Sequence, residues 1–141
     1  MAITFQFRKE PSSFLGVIYR PVATILFQNR KNQIFKPVTL IVDTGADYTI
    51  LPKFLADSLG VNLTKDCQKI QTTGVGGHET VYFCHNKITI KLGKWKKDIP
   101  LGFIDNNQIP PLLGRYEFLE TFRVIFDKRQ LTFIRSYKSR K

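Results

Sequence analysis

The residues of this sequence best suited to chemistry are Asp43-Thr44-Gly45, which follow the apolar run Val38-Thr39-Leu40-Ile41-Val42 and precede Ala46-Asp47-Tyr48-Thr49-Ile50-Leu51-Pro52. A continuous apolar run reads as a buried strand, and one that ends in a carboxylate delivers an acid–base group to a fixed place. The glycine lets the chain turn sharply behind it, and the threonine hydroxyl can donate or accept a hydrogen bond. A bare Asp-Thr-Gly is a weak signal, because a turn-capping aspartate has the same form. Three further features give it context: Arg20-Pro21 before the run Val22-Ala23-Thr24-Ile25, the glycine-rich stretch Thr73-Gly74-Val75-Gly76-Gly77, and Leu112-Leu113-Gly114-Arg115.

The elements that must position these motifs read as short strands. Residues 3–7, 22–27, 38–42, 81–83, 88–92, 99–104, 123–126 and 131–134 are rich in β-branched and aromatic types, the composition of pleated, half-buried segments. Between them lies turn chemistry, as in Gln28-Asn29-Arg30-Lys31-Asn32, Gly93-Lys94, Asp105-Asn106-Asn107 and Asp127-Lys128-Arg129. Two short helices are predicted, one over 52–59 with Pro52 at its start and Gly60 as its stop, the other over 116–122. Trp95 reads as a turn or edge residue without function. The pattern predicts an all-β fold, a small β-barrel or sandwich with one or two short helices.

Bulk properties narrow the function. The 141 residues are 43% hydrophobic and 13% aromatic, which fits one folded domain over 1–141 and excludes a disordered chain. Residues 1–11 alternate apolar with polar and meet charge at Arg8, so they read as a strand rather than an export signal, and no apolar run reaches the length of a membrane span. A cytoplasmic protein that engages no membrane is expected. Cys67 and Cys84 are then expected as reduced thiols. With His78 and His85 they lack metal-ligand spacing, and the neighbours Cys84 and His85 point to opposite faces of a strand, so no metal is predicted. The net charge of +11 is scattered apart from Lys94/Lys96/Lys97 and Lys138/Arg140/Lys141. Without a nucleic-acid-binding motif it reads as a solvated surface, and nucleic acid is not an expected partner.

Over roughly Arg20 to Ile134 the order of these motifs resembles the retropepsin family of aspartic proteases, with Arg20-Pro21, Ile41-Val42-Asp43-Thr44-Gly45-Ala46-Asp47, Gly74-Val75-Gly76-Gly77 and Leu112-Leu113-Gly114-Arg115 as the matching runs. The resemblance implies a small closed β-barrel that works as a homodimer on polypeptides, without a cofactor. It implies that Asp43, Thr44 and Gly45 form the catalytic loop, with Thr44 bracing the loops across the dimer and Gly45 presenting its carbonyl to substrate. Asp47 would pair with Arg115, joined by Arg20 of the other subunit, and Gly114 would belong to the same structural set. Gly74, Val75 and Gly76 would form a flap over the substrate, which Ala46 and Asp47 would also bind. Ile41, Ile50, Ile109, Pro110 and Leu112 match apolar subsites, so cuts between hydrophobic residues are expected. Residues 1–18 are an extension beyond the compact retroviral pattern and 135–141 a basic tail. Residues 3–7 and 131–134 are candidates for closing the dimer.

The chemistry itself calls for two subunits. Hydrolysis by carboxylates uses one ionised group to take a proton from water and one protonated group to hydrogen-bond the scissile carbonyl. This chain has a single Asp-Thr-Gly, and a two-fold axis would set the same residue of both subunits face to face. Ala46, unlike the hydroxyl residue that follows the glycine in pepsin-like relatives, cannot hydrogen-bond the carboxylate, which predicts an optimum less acidic than a pepsin's. Two other classes compete: a catalytically silent peptide-binding dimer of the same fold, and a nucleic-acid-binding β-domain supported by charge alone.

Overall fold

The computed structural model describes residues 1–74 and 77–136. Alternation of buried and open positions builds its strands. In β4 (Val22–Gln28) Ala23, Ile25 and Phe27 face the core, and in β9 (Ile88–Leu92) Ile88, Ile90 and Leu92 are buried while Thr89 and Lys91 are not, the period of two that a half-buried strand requires. β5 (Phe35–Val42) pairs antiparallel with β4 along its whole length. Its Pro37 lies where the far edge of β5 is open, since the other neighbour, β12 (Leu112–Leu113), joins only at Ile41 and Val42. An open edge is where a strand tolerates a residue without an amide hydrogen.

The main sheet has nine strands in the order β10 (Trp95–Ile99), β9, β4, β5, β12, β6 (Thr49–Pro52), β11 (Leu101–Ile104), β8 (Gly77–Cys84) and β7 (Cys67–Gly74). β12 runs parallel to β5 and antiparallel to β6, and β6 runs parallel to β11. A three-stranded sheet orders β1 (Ala2–Gln6), β14 (Gln130–Ile134) and β13 (Arg123–Asp127), and β2 (Arg8–Ser12) and β3 (Gly16–Arg20) form a hairpin sheet of their own. The fold is all-β, as expected. Among the described residues, the end strands β10 and β7 do not pair with each other, so the main sheet is not closed on itself.

The two predicted helices are reduced to single turns of 3-10 helix. Residues 52–59 give Lys53–Leu55 and Asp57–Leu59, ended by Gly60 in the left-handed region at φ 70, and residues 116–122 give only Leu119–Thr121. Both segments are too short to repay helix nucleation. The hydroxyls of Ser58 and Thr121 donate to nearby backbone oxygens of Leu55 and Phe118, and Glu117 at φ 59 interrupts the second segment. The predicted strand 99–104 is split at Pro100 into β10 and β11. Strands β3, β6, β7 and β12 escaped the sequence reading, as did all of β10 but its last residue, and β2 was read only as part of one strand over residues 1–11.

Trp95 is an edge residue rather than a turn residue, since β10 is an end strand of the main sheet. It lies half-buried in β10 and packs edge-to-face on Phe118 at 5.2 Å and Phe122 at 4.7 Å, while Phe118 meets Phe133 of β14 at 6.2 Å. This aromatic cluster fastens the terminal sheet to the edge of the main one. No helix of the described residues is long and apolar enough to cross a membrane.

Cys67 and Cys84 oppose each other across β7 and β8 as free, buried thiols with their sulfurs 3.7 Å apart, and the neighbouring His85 is exposed. Burial pushes both thiols up, Cys84 far above the ordinary range. Because a raised value favours the neutral thiol, neither is expected to react with a thiol reagent such as Ellman's at pH 8 until the protein unfolds. Titration in buffer and in denaturant checks this, and prompt reaction of either thiol in the native protein would contradict it.

Candidate active site

Asp43 stands where β5 ends, and three strands fix that point. β12 is inserted between the strands that enter and leave the Asp43 loop, with Leu112 opposite both Ile41 and Ile50 and Leu113 beside Val42. Hydrogen bonds continue beyond the strand ends. The Asp43 amide donates to the Leu113 carbonyl at 3.0 Å, the Arg115 amide to the Ala46 carbonyl at 3.0 Å, and the Tyr116 amide to the Asp47 carbonyl at 2.8 Å. Two sequence-distant motifs, 43–47 and 112–116, are thereby zipped into one rigid unit.

Within the loop, Asp43 Oδ1 accepts the Gly45 amide hydrogen at 2.9 Å, and the Ala46 amide donates to the Asp43 carbonyl at 3.1 Å. The carboxylate is half-buried, and Thr44 and Gly45 are exposed beside it. Arg115 clamps the outer side of the loop, donating from Nη1 to the Thr44 carbonyl and from Nη2 to Asp47 Oδ1, both at 2.7 Å. The Asp47 side chain is 82% exposed, so the ion pair itself adds little stability, under about 1 kcal/mol. Its effect is positional, holding the Thr44 peptide.

The expected Asp47–Arg115 pair is therefore present. Within its own chain Arg20 donates to Glu10 at 2.7 Å, and Arg8 donates to the same carboxylate. Ile41, Ile50 and Leu112 sit side by side, half-buried, on β5, β6 and β12. Ile109, half-buried, and exposed Pro110 lie on the segment leading to β12, where the Pro111 carbonyl accepts the Ile41 amide hydrogen at 2.9 Å. Gly74 ends β7 opposite Gly77. Val75 and Gly76, the expected flap tip, lie outside the described residues, as does the basic cluster Lys138, Arg140 and Lys141. Among the described residues, no three His, Cys, Asp or Glu side chains form a metal-holding group.

Three residues that hold the site were not singled out from sequence. Thr49 is fully buried, and its hydroxyl oxygen accepts the Gly114 amide hydrogen at 3.2 Å. Tyr48 packs its backbone against Gly114 and its ring against Gly102, and it meets Phe83 edge-on at 5.2 Å. Burial pushes the Tyr48 phenol up, with the Asp47 charge adding to the effect. Glu10 carried no local signal, because Arg20 is brought to it only by the β2–β3 register. A hydroxyl inside the otherwise apolar run 48–51 was the available signal for Thr49. Thr49→Val leaves the Gly114 amide unpaired in the interior and is expected to cost about 1–3 kcal/mol, while Thr49→Ser keeps most of it. Chemical denaturation measures both, and equal losses would refute the hydrogen-bond account.

An open β-sheet that carries a half-buried aspartate at a strand end, braced by a Gly-Arg segment, fits a protein of the acid-protease class. The comparisons agree: residues 29–116, more than half of the sequence, match the family model described as aspartyl protease. The chain belongs to that family and is an aspartic-type endopeptidase, a hydrolase of peptide bonds. Its fold is similar to that of a retropepsin-like aspartic protease from Rickettsia conorii, with a TM-score of 0.66 and 23% identity over 94% of this chain and 98% of that one. It is also similar to EIAV protease in complex with the inhibitor HBY-793, with a TM-score of 0.52 and 23% identity over 77% of this chain and 91% of that one. No curated protein matches the sequence.

Proposed function

We propose that Asp43 is the catalytic carboxylate and that the active enzyme is a homodimer in which two Asp43 side chains, one per subunit, activate a water between them. The observation that carries this reading is the position of Asp43. It is the one aspartate of the Asp-Thr-Gly type, locked by Leu113 and Gly45 at the end of β5 in a loop whose Thr44 and Gly45 face outward. A single such loop per chain leaves the second carboxylate to a second copy. In the pair, the ionised carboxylate takes a proton from water and the protonated one hydrogen-bonds the scissile carbonyl oxygen; the proton then passes to the leaving amine.

The remaining residues take supporting roles. Thr44, exposed on the loop, bonds across to the partner's loop, and the Gly45 carbonyl accepts an amide of the substrate. Arg115 and Gly114 hold the loop, and Arg20, oriented by Glu10, stands beside it. The half-buried row Ile41, Ile50 and Leu112, continued by Ile109 and Pro110, receives hydrophobic side chains of an extended peptide. The β7–β8 hairpin, with Gly74, Val75 and Gly76 at its turn, closes over that peptide and excludes water. Residues 1–141 act as one domain of the small closed-barrel type. Incubation with a peptide carrying hydrophobic residues at the cut, with and without a statine-type mimic of the tetrahedral intermediate, tests the reading. Cleavage blocked by the mimic supports it, and cleavage insensitive to the mimic contradicts it.

A further inference from the structure

Hairpin β2–β3 stands apart from both larger sheets. Its last pair is Ser12 with Gly16, and the turn between them carries Phe14 at 86% and Leu15 at 64% exposure, with Val17 exposed beside them on β3. A lone two-stranded hairpin is marginal in water, and large apolar side chains gathered at its tip mark a surface that something covers.

The root of this hairpin is built firmly and lies next to the candidate active site. The carbonyl of Pro21, one residue after β3, accepts the amide hydrogen of Val42, one residue before Asp43, at 2.8 Å. Arg8 and Arg20 face each other in the register and share the carboxylate of Glu10, which their hydrogen bonds hold below its ordinary range. Arg129 stacks on Tyr19 with its guanidinium carbon 3.6 Å from the ring centre, tying β3 to the β13–β14 turn. From this root the strand runs five residues to the turn, a reach of about 17 Å at the rise of an extended chain.

We infer that β2–β3 is a dimerisation arm whose Phe14-Leu15 tip packs on a second copy of this chain. The inference rests on the two-carboxylate reading, which requires a second copy on the side where Asp43 emerges. A two-fold axis that brings two Asp43 loops together also brings each hairpin root beside the partner's loop. An arm longer than the loop it is rooted beside then reaches the partner's surface, once from each side. The terminal strands are already occupied on one side within the chain. β1 pairs with β14 in its own chain, and Met1 and Arg135 exchange hydrogen bonds at the sheet's end. The hairpin is the N-terminal element left with uncovered apolar side chains.

Sedimentation velocity over a range of protein concentrations, on the wild-type chain and on the Phe14→Ser/Leu15→Ser variant, tests this together with specific activity at each concentration. Both side chains are exposed, so the variant is expected to melt with the wild type. Its dimer dissociation constant is expected to rise at least about tenfold, the effect of losing a small interface anchor, with activity lost on dilution and recovered when the protein is concentrated. A dissociation constant within about twofold of the wild type would overturn the arm and leave the two-carboxylate reading standing. A wild-type chain that cleaves peptide while monomeric at every concentration would overturn that reading, and the arm with it.

Discussion

Asp43→Asn is expected to lower kcat/KM on a peptide with hydrophobic residues at the cut by at least about a thousandfold, the scale of losing an acid–base group from a pair that works as a unit. The substitution is nearly isosteric, and the one hydrogen bond that the carboxylate accepts within the chain, from the Gly45 amide, can be accepted equally by an amide oxygen. The loop and fold should therefore persist. What is lost is chemical, because a carboxamide neither removes a proton from water nor shares one with a facing carboxylate. Activity assays paired with thermal melting separate the two effects. A variant that melts like the wild type and retains a tenth or more of its activity would move the chemistry away from Asp43.

Gly114→Ala is expected to be the most destabilising single-methyl substitution near the site. A Cβ at Gly114 would overlap the backbone carbonyl of Tyr48, and relief by movement is blocked on both sides. Leu113 is bonded to Asp43, Arg115 to Ala46 and Tyr116 to Asp47, while the Gly114 amide is held by buried Thr49. Overpacking against immobile backbone costs at least about 3 kcal/mol, which for a chain of this size lowers the melting temperature by roughly 10 °C. Loss of activity should accompany it, because the same segment fixes Asp43. Gly16→Ala is the control. Nothing lies within 4 Å of its Cβ position, and only its φ of +81 resists a side chain, at a cost of about 1 kcal/mol. Equal melting of the two variants would refute the close-approach argument.

The sequence reading succeeded where chemistry and spacing coincide. Asp43 at the end of an apolar run and Gly114-Arg115 after a pair of leucines were legible because each motif declares its neighbours: apolar residues enter a sheet, and the glycine accommodates a close approach. That Arg115 pairs with Asp47 followed from the family resemblance, since no local pattern links residues so far apart, and its second bond, to the Thr44 carbonyl, came only from the structure. The misses share a cause. β7 and β10 are polar strands at the edges of the main sheet, β12 is two residues long and exists only because β5 and β6 leave a slot for it, and β2–β3 carries Pro11 and two serines that imitate a loop. Each is specified by partners rather than by its own composition. Both predicted helices contained suitable residues but were too short to propagate, and Trp95, flanked by glycine and lysines, concealed a place in the aromatic core.

The central claim is that two Asp43 side chains from two copies act together, and mixing tests it most directly. Wild-type protein held at constant concentration is combined with an about ninefold excess of Asp43→Asn, allowed to exchange subunits, and assayed. With random association, roughly nine-tenths of wild-type chains pair with a silent partner, so activity should fall to about a tenth. Activity unchanged by the excess, in a mixture shown to exchange, would mean that one chain cleaves peptide by itself.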